Sequence, residues 1–380
     1  MEKLKIQISD EEISDLKQRL AKTRFANLPE SDFKAGTDES YLKEICSYWQ
    51  NSYDWRKHET EINQFPNYIT PISGEAVHFI LIEGKGDNNI PLLLIHGWPD
   101  SFLRFKKMIP LLTEADGNGM SFTLVIPSVP GFGFSTNRNE NSPLKIAKIF
   151  NELMHNILNY KKYLVHGGDW GTSIGEKIAQ YHGENLVGLH LTDVPFSHSM
   201  EEPEDASEAE KKFIKKVEKW QQTAGAYAMI QSTKPNSLAP AMNDSPAGLA
   251  AWLLEKFKVW SDDFENSFSK DDLLTNASIY WFTNTFGSAS RIYLNAMKDM
   301  MNDKYNPLEK INPVNHSDEK VTVPTGFSIF PKDISHPPRE FAERFFNVTY
   351  WNEPSKGGHF AAMEVPEILE KEIRSFVNGL

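Results

Sequence analysis

The residues best able to do chemistry in this chain stand at Gly167-Gly168-Asp169-Trp170-Gly171. They follow an apolar run and open a stretch with helical periodicity. Small residues around one central residue permit a sharp strand-to-helix turn that lifts the central side chain off the sheet, the nucleophile elbow. An aspartate in that place could also do no more than cap the following helix. As a nucleophile, its type decides the reaction. Serine displacing oxygen from a saturated carbon leaves an ether, which water does not readily cleave. A carboxylate leaves an ester, which water hydrolyses. Asp169 therefore points to epoxide opening or halide removal, and it is ionised at neutral pH without a base.

Other groups complete such a site. His96-Gly97-Trp98-Pro99 follows the apolar PLLLI and forms a loop able to aim the Trp98 backbone N–H, with that of Trp170, at an oxyanion. His96 itself reads as a turn-stabilising residue. Gly357-Gly358-His359-Phe360 lies after the last expected strand, where the chain order nucleophile, acid, histidine puts the base. His359 would activate the hydrolytic water. Two aspartates could orient it: Asp333, 26 residues before His359, and Asp193, 24 residues after Asp169. Both follow expected strands, and periodicity does not separate them. An opened epoxide releases an alkoxide, which needs a hydrogen-bond or proton donor. Tyr227 and Tyr293 suit this as phenols neutral at pH 7, although packing is the default role for either of them among 12 tyrosines.

The elements that must position these residues are legible in the pattern. Residues 1–75 read as a helical extension, with Ser9 and Glu12 resembling a capping box and Pro66 and Pro71 ending the segment. Strands are expected at 76–84, 91–97, 122–129, 162–168 and 186–194, with helices at 101–113, 143–159 and 171–182. Such alternation implies a parallel sheet covered by helices on both faces. From about 196 to 310 it stops, and the chain is rich in helix formers and aromatic residues. Strands at 323–330 and 347–351 and helices near 338–346 and 364–377 then resume it. The expected organisation is an extension over 1–75, an α/β core over 76–195 and 311–380, and a helical cap over 196–310, lying above a site at the C-terminal ends of the strands.

Composition narrows the function. Hydrophobic residues at 40% and charged residues at 24% are ordinary for a globular chain and argue against disorder. The formal charge of −12, from 40 basic and 52 acidic side chains, repels nucleic acid, and no basic patch offsets it. Cys46, the only cysteine, excludes an internal disulfide framework and a cysteine zinc site. No window approaches the roughly 18 apolar residues of a membrane span. A soluble cytoplasmic protein is expected, with no cofactor and no metal; its partners are a small hydrophobic substrate and water, and a homodimer is compatible with it.

The motifs together resemble those of the microsomal-type, juvenile-hormone-type epoxide hydrolases. They are PLLLIHGWPDSFLRFKKMIPLLT, GGDWG, YAMIQSTKPNSLAPAMNDSPAGLAAWLLEKF, GGHFAAMEVPE and the N-terminal Asp54-Trp55-Arg56. The resemblance spans nearly the whole chain. It implies an α/β-hydrolase fold with a helical cap, Asp169 as nucleophile and His359 as base. It favours Asp333, in a Phe-Pro-x-Asp motif, over Asp193. It matches Tyr227 to one cap tyrosine and, with Ser290 offset from the usual pattern, Tyr293 to the other. Animal members carry an N-terminal membrane anchor and this chain begins without one, so it resembles a soluble microbial form. A haloalkane-type dehalogenase uses the same fold and ester chemistry, with Trp170 as a possible halide donor. Paired tyrosine hydroxyls serve an alkoxide instead. A ligand-binding protein on the same fold would not need Asp169, Asp333 and His359 together, and an esterase would need serine at the apex.

Overall fold

The apolar runs expected as buried strands form the middle of one mixed sheet in the computed structural model, which describes residues 1–305 and 320–380 apart from positions 31 and 139. The strands are β1 (Glu2–Lys3), β2 (Asn67–Ile72), β3 (Glu75–Ile82), β4 (Asn88–Ile95), β5 (Met120–Pro127), β6 (Tyr163–Gly167), β7 (Leu186–Leu191), β8 (Val321–Ser328) and β9 (Phe346–Asn352). Their order is β1-β2-β3-β5-β4-β6-β7-β8-β9. The pairings from β1 to β5 on that edge are antiparallel, and all those from β5 through β4 to β9 are parallel. Every residue of β5 is buried, as a central strand covered on both faces requires. The chain runs from β4 outward to β5, then returns to β6 on the other side of β4. Strand order thus reverses between β4 and β6, where Ile95 pairs with Gly167, and the loops after those strands open a crevice.

Helices α1 (Asp10–Ala21), α2 (Glu39–Asn51) and α3 (Trp55–Asn63) precede the sheet. Ser9 and Glu12 make the expected capping box at α1. Helices α4 (Met108–Thr113), α5 (Pro143–Asn151) and α6 (Trp170–His182) connect the central strands. The inserted stretch is helical: α7 (Glu208–Ala224), α8 (Ala226–Thr233), α9 (Pro235–Asp244), α10 (Pro246–Trp260), α11 (Phe264–Ser267), α12 (Lys270–Thr283) and α13 (Phe286–Tyr305). The boundary expected at 310 lies outside the described residues. Helices α14 (Arg339–Phe345), α15 (Ala361–Glu364) and α16 (Pro366–Asn378) complete the chain. The N-terminal helices fasten the insertion through buried polar contacts. The Trp49 indole donates to Ser278 Oγ on α12 (3.0 Å), and the Tyr53 and Thr275 hydroxyls are 3.0 Å apart. Asp54, in the Asp-Trp-Arg motif, caps α3 by accepting from the Arg56 N–H (3.0 Å).

Three expectations are corrected. Residues 67–72 form β2, although Pro66 and Pro71 were expected to leave an ending there. Opposite Pro71, Ala76 turns its N–H and C=O to Thr136, so this is a pair that exchanges no ladder bonds and the missing proline donor costs nothing. The expected helix over 101–113 is a 3₁₀ turn, Phe102–Phe105, followed by α4. The expected helix over 143–159 is α5 followed by a π turn, Glu152–Ile157.

Candidate active site

Asp169 sits between β6 and α6 with φ 55° and ψ −128°, a conformation that a residue with a Cβ adopts only under strain. The turn is possible because glycines stand where a Cβ would clash. A Cβ on Gly171 would fall 2.2 Å from the Ile95 carbonyl oxygen, so α6 could not approach β4 as it does. A Cβ on Gly97 would fall 1.9 Å from Asp169 Oδ1, in the space the carboxylate fills. With that space open, the Trp98 backbone N–H donates to Asp169 Oδ1 at 2.7 Å. Among the described residues, the Trp170 N–H makes no such bond. His96 is buried in the turn and accepts from the Val129 N–H (3.1 Å), in keeping with a stabilising role.

The loop after β9 brings His359 to the same point. Its Nε2 lies 3.2 Å from Asp169 Oδ2, and its Nδ1 lies 2.7 Å from Asp333 Oδ1. The other aspartate, Asp193, makes no hydrogen bond to the imidazole among the described residues and accepts from the Ser335 hydroxyl at 2.8 Å. It is nevertheless close enough to interact with Asp333. Burial and the Asp333 charge push Asp193 well above the usual carboxylate range, whereas His359 holds Asp333 below it against the cost of burial. For His359, burial disfavours the imidazolium, but the carboxylates of Asp333 and Asp169 outweigh it and its pKa is raised to about 10.

Over these groups the insertion closes a cage of aromatic rings. Tyr227 on α8 stacks on Trp98 with centroids 5.1 Å apart. Tyr293 on α13 meets Trp170 edge-on at 4.7 Å and Tyr227 at 6.0 Å. Trp260, at the end of α10, meets the His359 ring at 5.2 Å, and its carbonyl accepts from the His359 N–H (2.9 Å). Burial and the nearby Asp169 charge raise the pKa of Tyr227; burial, Tyr227 and Asp169 raise that of Tyr293. Both phenols are therefore held protonated, as donors.

The sequence reading missed Asp100 and Arg104. This buried pair spans the loop after β4, where Asp100 Oδ1 accepts from the Gly97 N–H (3.2 Å) while Arg104 bonds Asp100 and the His359 carbonyl. It ties the loop of Trp98 to the loop of His359. Their spacing of four residues was the available signal, but such pairs usually lie on solvated faces. Among the described residues, no helix is long and apolar enough to cross a membrane.

Known proteins are similar along nearly the whole chain. Residues 1–105 match the family described as the epoxide hydrolase N terminus, and residues 90–375 match the alpha/beta hydrolase fold family. Epoxide hydrolase 1 of Sus scrofa is 35% identical, over 99% of this chain and 88% of its own. The crystal structure of juvenile hormone epoxide hydrolase from Bombyx mori superposes with a TM-score of 0.87 at 27% identity, covering 99% of this chain and 94% of that one. Aspergillus niger epoxide hydrolase superposes with a TM-score of 0.84 at 28% identity, covering 99% and 96%.

Proposed function

The chain belongs to the epoxide hydrolases of the α/β-hydrolase fold, and from that premise we propose that it turns epoxides into vicinal diols through an ester on Asp169. The observation that carries this is the Asp169 carboxylate, held at 2.7 Å by the Trp98 N–H and at 3.2 Å by His359 under a cage containing two buried phenols. One carboxylate oxygen attacks a ring carbon while the ring C–O bond breaks. The departing oxygen takes hydrogen bonds and a proton from Tyr227 and Tyr293. Asp169 Oδ1, already facing the Trp98 N–H, becomes the ester carbonyl. Water then adds to that carbonyl carbon and gives a proton to His359, which Asp333 orients through Nδ1. The Trp98 and Trp170 N–H groups share the oxyanion. Collapse passes the proton of the new carboxyl to the leaving oxygen, releasing the diol and restoring the carboxylate. The proton that His359 gives up when the ester forms returns to the tyrosine that protonated the ring oxygen.

A single turnover in oxygen-18 water tests the route. Attack at the ester carbonyl leaves the label in the Asp169 carboxylate, and the first diol carries an oxygen from the protein. Label confined to the diol in that first turnover would mean direct attack by water and would end the proposal.

The two acids separate by substitution. Asp333→Asn removes the charge that holds the imidazole in orientation and is expected to slow ester hydrolysis by up to roughly 10⁴-fold, the loss known when such an orienting acid becomes an amide. Asp193→Asn replaces a carboxyl already pushed toward its neutral form, and a change within about tenfold is expected. Single-turnover hydrolysis of the ester measures both. A damaging Asp193→Asn beside a harmless Asp333→Asn would reverse the assignment.

We also infer a small hydrophobic epoxide as substrate, because Trp98, Trp170, Tyr227, Trp260 and Tyr293 pack together beside His359 and the Asp169 turn. A styrene-oxide-like panel assayed beside chlorinated alkanes, with diol and halide both measured, tests substrate class and leaving group together. A cytoplasmic enzyme fits the single, unpaired and buried Cys46.

A further inference from the structure

Helix α10 brings one cation to the aromatic cage. Lys256 Nζ lies 4.6 Å from the Tyr227 ring centroid and 5.7 Å from that of Trp260, and the side chain is only 11% exposed. An ammonium group stripped of most of its water must find other partners. Here these are the faces of two rings and the carboxylate of its neighbour Glu255. Lys256 and Trp260 are one helical turn apart on α10, so the cation and the ring that touches His359 share a face. Glu255 also acts on Tyr227, in the opposite sense, raising the energy of any negative charge on the phenol oxygen. No step described above uses Lys256.

We propose that Lys256 is a positioning residue for epoxide opening, acting through Tyr227: its charge on the ring face makes the hydroxyl a stronger donor to the departing oxygen. The proposal rests on the reading of Tyr227 as a donor. A cation over an aromatic face is attracted to the ring electrons, and that attraction grows as the ring becomes richer in charge. A phenol that gives its hydrogen to an alkoxide becomes richer in just this way. The contact with Lys256 is therefore tighter in the transition state than in the resting protein, the condition for raising the rate of a step. Glu255 opposes the effect, and without Lys256 it would act on Tyr227 alone. Asp169 opposes it in the resting protein, but its charge is consumed as the ester forms.

Lys256→Met keeps most of the stem and removes the charge. Stopped-flow tryptophan fluorescence can follow Asp169 alkylation and epoxide dissociation separately. Alkylation is expected to slow by about 5- to 30-fold, the range of a largely desolvated cation–ring contact, with the epoxide Kd unchanged. In a Tyr227→Phe background the same substitution is expected to change nothing further, because the oxygen it serves is gone. Equal slowing in both backgrounds would make Lys256 a packing residue and overturn the proposal, as would a wild-type alkylation rate. A Tyr227→Phe protein that alkylates at the wild-type rate would instead remove the reading on which the proposal rests, so the two failures are distinct. Lys256→Gln carries the same comparison if the methionine variant does not fold.

Discussion

Mixed with excess epoxide, the His359→Gln protein is expected to gain the mass of one epoxide molecule and then stall. Attack by Asp169 on a ring carbon needs no base, so the ester forms. Its hydrolysis needs a group that takes a proton from water, and losing one costs typically 10²–10⁴-fold. The structure adds a reason why the two steps stay in order. In the resting site the charges of Asp333 and Asp169 overcome burial and hold the His359 pKa at about 10, so at neutral pH it is an imidazolium and no base. Alkylation converts Asp169 into a neutral ester and removes one of those two charges. The imidazole pKa then falls, its proton leaves, and the base exists only once there is an ester to hydrolyse. Wild-type ester hydrolysis should therefore rise with pH to a plateau, with a midpoint below 10, and the residual rate of the glutamine variant should lack that inflection.

The same shift has a sign for stability. The folded pKa of His359 lies above its ordinary value of 6.5, so its contribution is fully present below that value and is lost as pH rises through about 10. The melting temperature of the wild type relative to His359→Gln should fall across that window. Intact-protein mass spectrometry decides the main point. An unmodified variant that still binds epoxide, or one that turns over at the wild-type rate, would remove His359 from the second step.

How much of this site could be read from the sequence depended on whether local chain geometry or long-range packing places each group. The elbow and the histidine loop are local. Gly167 to Gly171 allow a turn that few other residues permit, and its position after an apolar run is visible in the letters. The central strands were likewise legible, because strands buried on both faces read as nearly continuous apolar runs, such as Leu92 to Ile95 in β4 and Leu124 to Ile126 in β5. The choice between Asp193 and Asp333 was not local. Each follows a parallel strand, β7 or β8; Asp333 is buried and Asp193 half-buried. What distinguishes them is how the loop after β8 runs back beneath the histidine loop, with the Lys332 N–H donating to the Gly357 carbonyl at 3.1 Å. No periodicity carries that information. Asp100 and Arg104 were missed for a related reason. Their value lies in joining two loops 255 residues apart, from Arg104 to His359, and their spacing alone also fits a solvated helix face. Residues 67–72 were missed because Pro71 argues against a strand unless its partner is known to turn its own polar groups elsewhere.

The double variant Tyr227→Phe, Tyr293→Phe is expected to form almost no ester while keeping the wild-type fold. Ring opening moves a full negative charge onto the epoxide oxygen inside an aromatic cage, where a hydrogen-bond donor stabilises it. Burial and the Asp169 charge keep both phenols protonated, so both can donate. Each donor of this kind is worth about 2.7–4 kcal/mol in the transition state, or roughly 10²–10³-fold in rate. A single phenylalanine should cost less than that, because the surviving hydroxyl still meets the charge. The fold should tolerate both changes, since only two oxygens leave. The stacking of residue 227 on Trp98 at 5.1 Å and the edge contact of residue 293 with Trp170 at 4.7 Å are made by the rings. Tryptophan fluorescence after rapid mixing reads the alkylation step, and a melting curve reads the fold. A folded double variant that alkylates at the wild-type rate would assign both tyrosines to packing. A further contrast comes from the substrate. An epoxide with electron-withdrawing substituents releases a less basic alkoxide and needs less help from a donor. The loss in the double variant should therefore shrink along such a series, a graded response that the removal of packing contacts would not produce.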